Sequence, residues 1–137
     1  MKSFSILFVE DNANDILLYK RVFDKEISNC HFRAVSTYDE YKELFRNESF
    51  IMNQPDLLLL DIKLREVSGL TILKEIKGDR IFEKIPVVIF SSSIERKDLE
   101  TAYQYGANSY LEKPKTYVEL KEVLKIISNY WLHLNKR

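Results

Sequence analysis

The stretch Leu57-Leu-Leu-Leu60, followed directly by Asp61, decides the fold class of this chain. Four consecutive leucines place apolar side chains on both faces of a strand, because successive side chains point to opposite sides. Such a strand must be covered on both faces, which is typical of a parallel sheet between two layers of helices. Asp61 ends the apolar run, so we expect it at the carboxyl end of this strand.

Four other runs complete a predicted set of five strands. Phe4–Val9 and Val87–Phe90 are equally apolar on both faces, whereas His31–Val35 and Ser109–Glu112 are weaker candidates. Stretches with helical periodicity separate the runs, so strand and helix alternate five times. This alternation predicts an α/β fold with right-handed crossovers and a parallel sheet.

Capping residues and glycine mark the expected helix boundaries. Asn14 is a suitable N-cap for the first helix, and Thr37–Glu40 and Thr116–Glu119 have the spacing of a capping box. Gly106 suits the left-handed residue that follows a helix end.

The last helix carries an apolar stripe. Its residues are Leu120, Val123, Leu124, Ile127, Tyr130, Trp131 and Leu134. We expect Tyr130 and Trp131 to pack this helix onto the sheet. The apolar residues that continue through Leu134 could form a dimer interface, so both a monomer and a weak homodimer are compatible with the sequence.

Composition indicates one globular domain, 1–137, with a core over about residues 4–131 and a tail at 132–137. Lys plus Arg and Asp plus Glu each total 21, so a balanced charge gives no electrostatic case for binding nucleic acid or an anionic membrane. Cys30 is the only cysteine, which excludes an intrachain disulfide and a cysteine metal cluster. Without a predicted signal peptide or membrane span, a cytoplasmic protein is expected.

Polar residues follow four of the five predicted strands, at the edge where a parallel sheet would bind a ligand. Glu10 and Asp11 follow the first strand, Asp61 the third, Ser91 the fourth and Lys113 the fifth. Three carboxylates on one edge repel each other unless a cation neutralises them. Hard oxygen donors without a cysteine or a histidine pair favour Mg²⁺. A site with a divalent ion, a lysine and a hydroxyl suits in-line phosphoryl transfer, with Asp61 the best-placed acceptor.

Six motifs occur in order along the chain at the spacing of one known family. They are Val9–Asn12, Leu57–Asp61, Gly69, Pro86–Ser91, Gly106-Ala107 and Tyr110–Pro114. With them the chain resembles the receiver domain of two-component response regulators. The resemblance implies a flavodoxin-like (βα)5 doubly wound sheet of strand order 2-1-3-4-5. The segments Asp61–Leu64 and Gly106–Pro114 are similar to the stand-alone receivers found beside bacterial phytochrome kinases.

The resemblance also implies a metal site. Asp61 would be the phosphoacceptor and a ligand of Mg²⁺, and Asp11 would be the other direct carboxylate ligand. Lys63 would supply its backbone carbonyl, and Glu10 would act through a water molecule.

Further residues would bind the phosphoryl group and transmit its presence. Ser91 and Lys113 would contact the phosphoryl oxygens, and Ser91 with the aromatic Tyr110 would form the switch. The bond before Pro114 would be cis, and Gly69 would have a structural role.

Three positions depart from the pattern of the family, and one of them is Ser92, which stands where a small apolar residue is common. Arg65 stands where proline is usual, which predicts a less rigid loop. Lys63 carries a long cationic side chain that could pair with Glu10 or with the phosphoryl group.

The implied function is that of a signalling switch and not of an enzyme with an external substrate. The protein would take a phosphoryl group from a sensor histidine kinase or a phosphotransfer protein and lose it by self-dephosphorylation. Phosphorylation would then change a surface near Tyr103, Tyr110 and Tyr117 that binds an unknown downstream protein. The alternatives are a phosphorylation-independent protein-binding module and a phosphohydrolase, which would want an aspartate in place of Lys63.

Overall fold

The computed structural model describes residues 3–137, and its centre is a five-stranded parallel sheet. The strands are β1 Phe4–Val9, β2 Cys30–Val35, β3 Leu57–Leu60, β4 Val87–Ser91 and β5 Ser109–Glu112. Their order is β2-β1-β3-β4-β5, and every neighbouring pair is parallel. The predicted α/β fold and strand order are therefore confirmed.

Helices cover both faces of this sheet. They are α1 Ala13–Glu26, α2 Tyr38–Arg46, α3 Glu48–Met52, α4 Gly69–Lys77, α5 Arg96–Gln104 and α6 Tyr117–Ser128, with a π-helix Asn129–Leu134 after α6. Among the described residues, no helix combines the length and the apolar character needed to cross a bilayer.

The four leucines of β3 supply both halves of the core, as their alternation requires. Leu58 and Leu60 join the cluster beneath α2, α3, α4 and α5, whereas Leu57 and Leu59 join the cluster beneath α1 and α6. Each is at most 1% exposed. Burying one leucine side chain contributes about 1.5–3 kcal/mol, so this strand fixes the centre of the sheet.

Helix α1 begins two residues earlier than the capping pattern predicted. Asn12 is the N-cap, because its side chain accepts a hydrogen bond from the Asp15 backbone N–H at 3.0 Å. Asn14 lies within the first turn, so its assignment as the cap was wrong. The capping box of Thr37 and Glu40 at α2 is confirmed.

Helix α3 was not predicted, since five residues are too few for a clear helical period. Asn47 ends α2 and also caps α3 by accepting from the Phe50 N–H at 3.1 Å. Phe50 then packs against Phe45 and Phe82, with ring centroids 4.8 and 6.1 Å away. This aromatic cluster explains why the connection folds as a helix.

The C-terminal end of the last helix differs from the predicted stripe. In the π-helix the hydrogen-bond spacing lengthens to five residues, so the position that follows Ile127 into the core is Leu132. Tyr130 is 48% exposed and does not pack onto the sheet, whereas Trp131 is half-buried against the core as expected. The core therefore extends one residue past the predicted limit of 131.

Candidate functional site

The carboxyl ends of β1 and β3 bring two buried carboxylates together. The Asp61 backbone N–H donates to the Val9 carbonyl at 3.1 Å, which fixes Asp61 beside the end of β1. Glu10 and Asp61 are only 2% and 5% exposed. Two carboxylates so poorly solvated need a positive partner close by.

Lys113 is that partner, and it lies at the centre of the site. Its Nζ is 2.6 Å from Glu10 Oε1, 2.7 Å from Asp61 Oδ2 and 2.9 Å from Asp15 Oδ2. The Lys113 backbone N–H donates to the Ser91 carbonyl at 2.9 Å, so the neighbouring β4 holds the lysine in place. The three predicted residues Glu10, Asp61 and Lys113 therefore meet.

Asp15 is the site residue that sequence reasoning missed. An acidic residue in the first turn of a helix is ordinarily interpreted as a partner of the helix dipole. Here the Asn12 cap holds the Asp15 backbone, and the carboxylate reaches Lys113, 98 residues away along the chain. The available signal was that α1 starts immediately behind Glu10 and Asp11, on the edge where the fifth strand ends.

Burial sets the electrostatics of Glu10. Desolvation raises the pKa of this carboxyl to about 7, although the hydrogen bond from Lys113 opposes the shift. The negative charge of Asp61 also contributes to this rise in the pKa. Tyr19 donates its hydroxyl to Glu10 Oε1 at 3.3 Å, and burial raises the pKa of Tyr19 so that the phenol stays a neutral donor.

Lys113 keeps its proton in this environment. Burial by itself lowers the pKa of the ammonium, but the hydrogen bonds to Asp61 and Glu10 and the negative charge of Glu10 outweigh it and raise the pKa above its usual range. The site therefore holds a permanent positive charge beside the predicted phosphoacceptor.

Asp11 turns away from this cluster and binds Arg65. Its Oδ2 accepts from the Arg65 backbone N–H at 2.7 Å and from Nε at 3.3 Å, while Arg65 Nη2 donates to the Asp11 carbonyl at 3.1 Å. The loop that follows β3 is thus anchored, whereas the loss of proline predicted a less rigid loop. A proline at this position has no N–H and could not make the shortest of these contacts.

Lys63 contributes a backbone contact, and its side chain does not pair with Glu10, one of the two partners expected for it. Its N–H donates to Asp61 Oδ1 at 3.1 Å, which orients the carboxylate. Its Nζ is 4.0 Å from Asp98 Oδ2 and forms no pair with Glu10, because Lys113 already occupies that carboxylate.

The donor types at this edge fit Mg²⁺. Asp11, Asp61 and the Lys63 carbonyl are hard oxygen donors, as this cation prefers. Within residues 3–137, however, no three acidic, histidine or cysteine side chains stand as a ready metal-binding group. Lys113 and Arg65 instead neutralise the carboxylates, so side chains of the protein itself balance the negative charge of the site.

Ser91 and Tyr110 are linked through the segment that follows β4. Ser91 is fully buried, and its Oγ accepts from the Ser93 N–H at 3.3 Å. The Tyr110 hydroxyl donates to the Ser93 carbonyl at 2.8 Å, while its half-buried ring packs against the core. A displacement of Ser91 would therefore be felt at Tyr110 through Ser93.

The prediction of a cis peptide bond before Pro114 was wrong. Peptide bonds among the described residues are all trans, including Lys113–Pro114. A trans bond is the favoured form of an X–Pro amide by about 0.5–1 kcal/mol. Lys113 Nζ reaches all three carboxylates with the bond in this form.

Gly69 allows α4 to start directly against the loop of the site. Its N–H donates to the Ile62 carbonyl at 3.0 Å. A Cβ at this position would overlap the Asp61 carbonyl oxygen and lie 2.8 Å from the Asp61 carbonyl carbon. The structural role expected of Gly69 is therefore a close backbone approach.

Similarity to known proteins covers nearly the whole chain. The sequence profile of the response regulator receiver domain matches residues 6–125. The probable methanogenesis regulatory protein FilR2 of Methanothrix harundinacea is 33% identical, over 97% of this chain and 86% of its own length. The polar-differentiation response regulator DivK of Brucella ovis is 31% identical, over 88% of this chain and 93% of its own length.

Solved structures agree with the sequence comparison. The phosphorylated cyanobacterial phytochrome response regulator RcpA has a TM-score of 0.89 at 31% identity, covering 98% of this chain and 97% of its own. The Mn²⁺-bound form of response regulator Rcp1 has a TM-score of 0.85 at 26% identity, covering 97% of both chains. The chain therefore belongs to the response regulator receiver domain family, the phosphoacceptor modules of two-component signalling.

Proposed function

We propose that this protein accepts a phosphoryl group on Asp61, with Mg²⁺ bound beside it, from a sensor histidine kinase or a phosphotransfer protein. The observation that carries the proposal is the meeting of Asp61 and Lys113 at 2.7 Å, inside a cluster completed by Glu10. A carboxylate nucleophile beside a fixed ammonium suits a transfer that depends on positioning and charge neutralisation.

The residues of the chain divide the chemistry between them. A carboxylate oxygen of Asp61 attacks phosphorus as the bond from phosphorus to the donor imidazole breaks, and the imidazole takes up a proton as it leaves. Lys113 pairs with a phosphoryl oxygen, and the Lys63 N–H orients the nucleophile. Mg²⁺, held by Asp11, Asp61 and the Lys63 carbonyl and by Glu10 through water, would offset the charge on the phosphoryl oxygens.

Phosphorylation then acts on the face formed by α5, β5 and α6. Ser91 moves toward the phosphoryl group, and the link through Ser93 carries this movement to Tyr110. Tyr103 on α5 is 49% exposed and offers an aromatic contact on the same face. A downstream protein that prefers one arrangement of this face shifts the equilibrium between the two.

The test is intact-mass spectrometry after incubation with acetyl phosphate and Mg²⁺. Wild type is expected to gain the mass of one phosphoryl group, and Asp61→Asn to gain none. Asp56→Asn is the matched control, because Asp56 binds the Ser5 N–H near the opposite end of the sheet. Equal labelling of Asp61→Asn and wild type would place the acceptor elsewhere. An unlabelled wild type would favour the phosphorylation-independent binding module.

Removal of one hydroxyl tests the switch. Tyr110→Phe should take up phosphate within about twofold of wild type, because the hydroxyl that is removed donates to the Ser93 carbonyl. It should lose about 1 kcal/mol of unfolding free energy in urea, the usual net value of one hydrogen bond. Phosphorylation should also change amide exchange on α5 and β5 less than in wild type.

The matched control for this variant is Tyr103→Phe, whose side chain is half exposed. Its unfolding free energy should stay within about 0.5 kcal/mol of wild type. If phosphorylated Tyr110→Phe showed the full exchange change of wild type, the Ser93 link would not be the route of the switch.

A further inference from the structure

We propose that Arg65 is a latch on Asp11, which lowers the affinity of the site for Mg²⁺ and is released when the cation binds. The inference rests on the proposed function, because it concerns the same metal site. It adds a regulatory role for Arg65, which is neither one of the carboxylates of the site nor one of the two residues, Ser91 and Lys113, proposed to bind the phosphoryl group.

The latch is built from three contacts between two residues 54 positions apart. The Asp11 carboxylate accepts from the Arg65 backbone N–H at 2.7 Å and from Nε at 3.3 Å, and Nη2 reaches the Asp11 carbonyl at 3.1 Å. Both contacts to the carboxylate use the same oxygen, Oδ2. A direct metal ligand is thus already engaged by two donors, one of them fully charged.

The charge of Arg65 acts against a second cation at the same carboxylate. A guanidinium keeps its proton at every physiological pH, so it cannot withdraw its charge to make way for Mg²⁺. The cation must therefore either displace the guanidinium or bind beside it against repulsion. Both routes lower the measured affinity below that of a site with a free Asp11.

Exposure shows why this residue, and not Lys113, is the one released. The Arg65 side chain is 82% exposed, whereas that of Lys113 is 14% exposed and tied to three carboxylates. Arg65 can turn into solvent without breaking a packed core. Lys113 cannot leave without stranding buried charge. The site thus has one fixed countercharge and one removable countercharge.

The loop between β3 and α4 connects the latch to the acceptor. It runs from Asp61 to Gly69, and both ends are fixed, by the Asp61 N–H to Val9 and by the Gly69 N–H to Ile62. Release of Arg65 frees the middle of this loop while the ends stay in place. Metal binding should therefore loosen the backbone around residue 65 and leave the acceptor held.

Isothermal titration of Mg²⁺ into the metal-free protein tests the latch without any phosphoryl donor. Arg65→Ala removes the guanidinium and keeps the backbone N–H, so its Kd should fall about two- to fivefold below that of wild type. Arg65→Pro also removes the N–H, and its Kd should fall about tenfold. The matched control is Arg80→Ala, which removes the same charge from an exposed turn beyond the far end of α4 and should leave Kd unchanged.

Salt dependence adds a second readout from the same titrations. Because the guanidinium is exposed, its effect should shrink as the ionic strength rises. The ratio of the Mg²⁺ Kd of wild type to that of Arg65→Ala should therefore move toward one as the salt concentration is raised from a low value to about 0.5 M.

Each outcome decides between the two proposals. Equal or weaker Mg²⁺ binding by Arg65→Ala overturns the latch and leaves the metal site of the proposed function standing. Binding by Arg65→Ala with a silent wild type supports the latch in its strongest form. Absence of binding in wild type and in both Arg65 variants removes the metal site, and the proposed function and the latch then fall together.

Discussion

Lys113→Met is expected to lower the free energy of unfolding by about 3 kcal/mol at neutral pH, measured by urea denaturation of the metal-free protein. Methionine keeps most of the apolar stem but removes the ammonium that contacts Glu10, Asp15 and Asp61. Glu10 and Asp61 are almost fully buried, so the Asp61 carboxylate would be left without a countercharge and Glu10 would have to take up a proton. An unpaired buried charge costs far more than the loss of an exposed ion pair.

The pH dependence of this variant has a definite sign. Burial raises the pKa of Glu10 from 4.5 to about 7, so its protonated form favours the folded state. This contribution is complete below pH 4.5 and is lost as the pH rises through about 7. Without Lys113 the folded-state pKa of Glu10 should rise further. The variant should therefore recover more stability than wild type as the pH is lowered toward 4.5.

Lys20→Met is the matched control for Lys113→Met. Lys20 Nζ is 2.9 Å from Asp24 Oδ2, as close as Lys113 Nζ is to Asp15 Oδ2, but the side chains of Lys20 and Asp24 are both more than half exposed. Its unfolding free energy should change by less than about 0.5 kcal/mol. Similar losses in the two lysine variants would mean that the buried carboxylates are neutral or hydrated without Lys113.

The sheet could be predicted from the sequence because short runs of consecutive apolar residues indicate its central strands. The run of leucines in β3 and the apolar run at β4 specify strands covered on both faces, whatever their neighbours. Helix α3 and the π-helix Asn129–Leu134 could not be predicted in this way. They depend on the packing of Phe50 and Leu132, which is decided by residues distant in the chain.

The site was predictable to the extent that strand ends define it. Glu10, Asp61 and Lys113 follow apolar runs, so the topology alone brings them to one edge. Asp15 and Arg65 lie outside the strand ends, and their partners are 98 and 54 residues away. The resemblance to receiver domains drew attention to Arg65, but nothing local in the sequence indicates that Asp11 is its partner.

Gly69→Ala is expected to cost roughly 3 kcal/mol of unfolding free energy, the upper range for overpacking a tight position. The added Cβ would overlap the Asp61 carbonyl oxygen and lie 2.9 Å from the Ile62 Cα. These are backbone atoms, which have no rotamer with which to yield. Either α4 must shift outward or the backbone of Asp61 must move, and movement of Asp61 should also slow phosphoryl uptake.

Gly78→Ala separates this close approach from a general effect of replacing glycine. Its Cβ would lie 3.1 Å from the Lys74 carbonyl, and Gly78 has the right-handed φ of −90°, which alanine adopts readily. We therefore expect a change below about 1 kcal/mol for this control, with normal phosphoryl uptake. Both variants lie at the ends of the same helix, so a shared loss would indicate a fault in α4 itself. A loss of stability and of phosphoryl uptake confined to Gly69→Ala would show that the helix start is held against the Asp61 backbone, and that this contact positions the proposed acceptor Asp61.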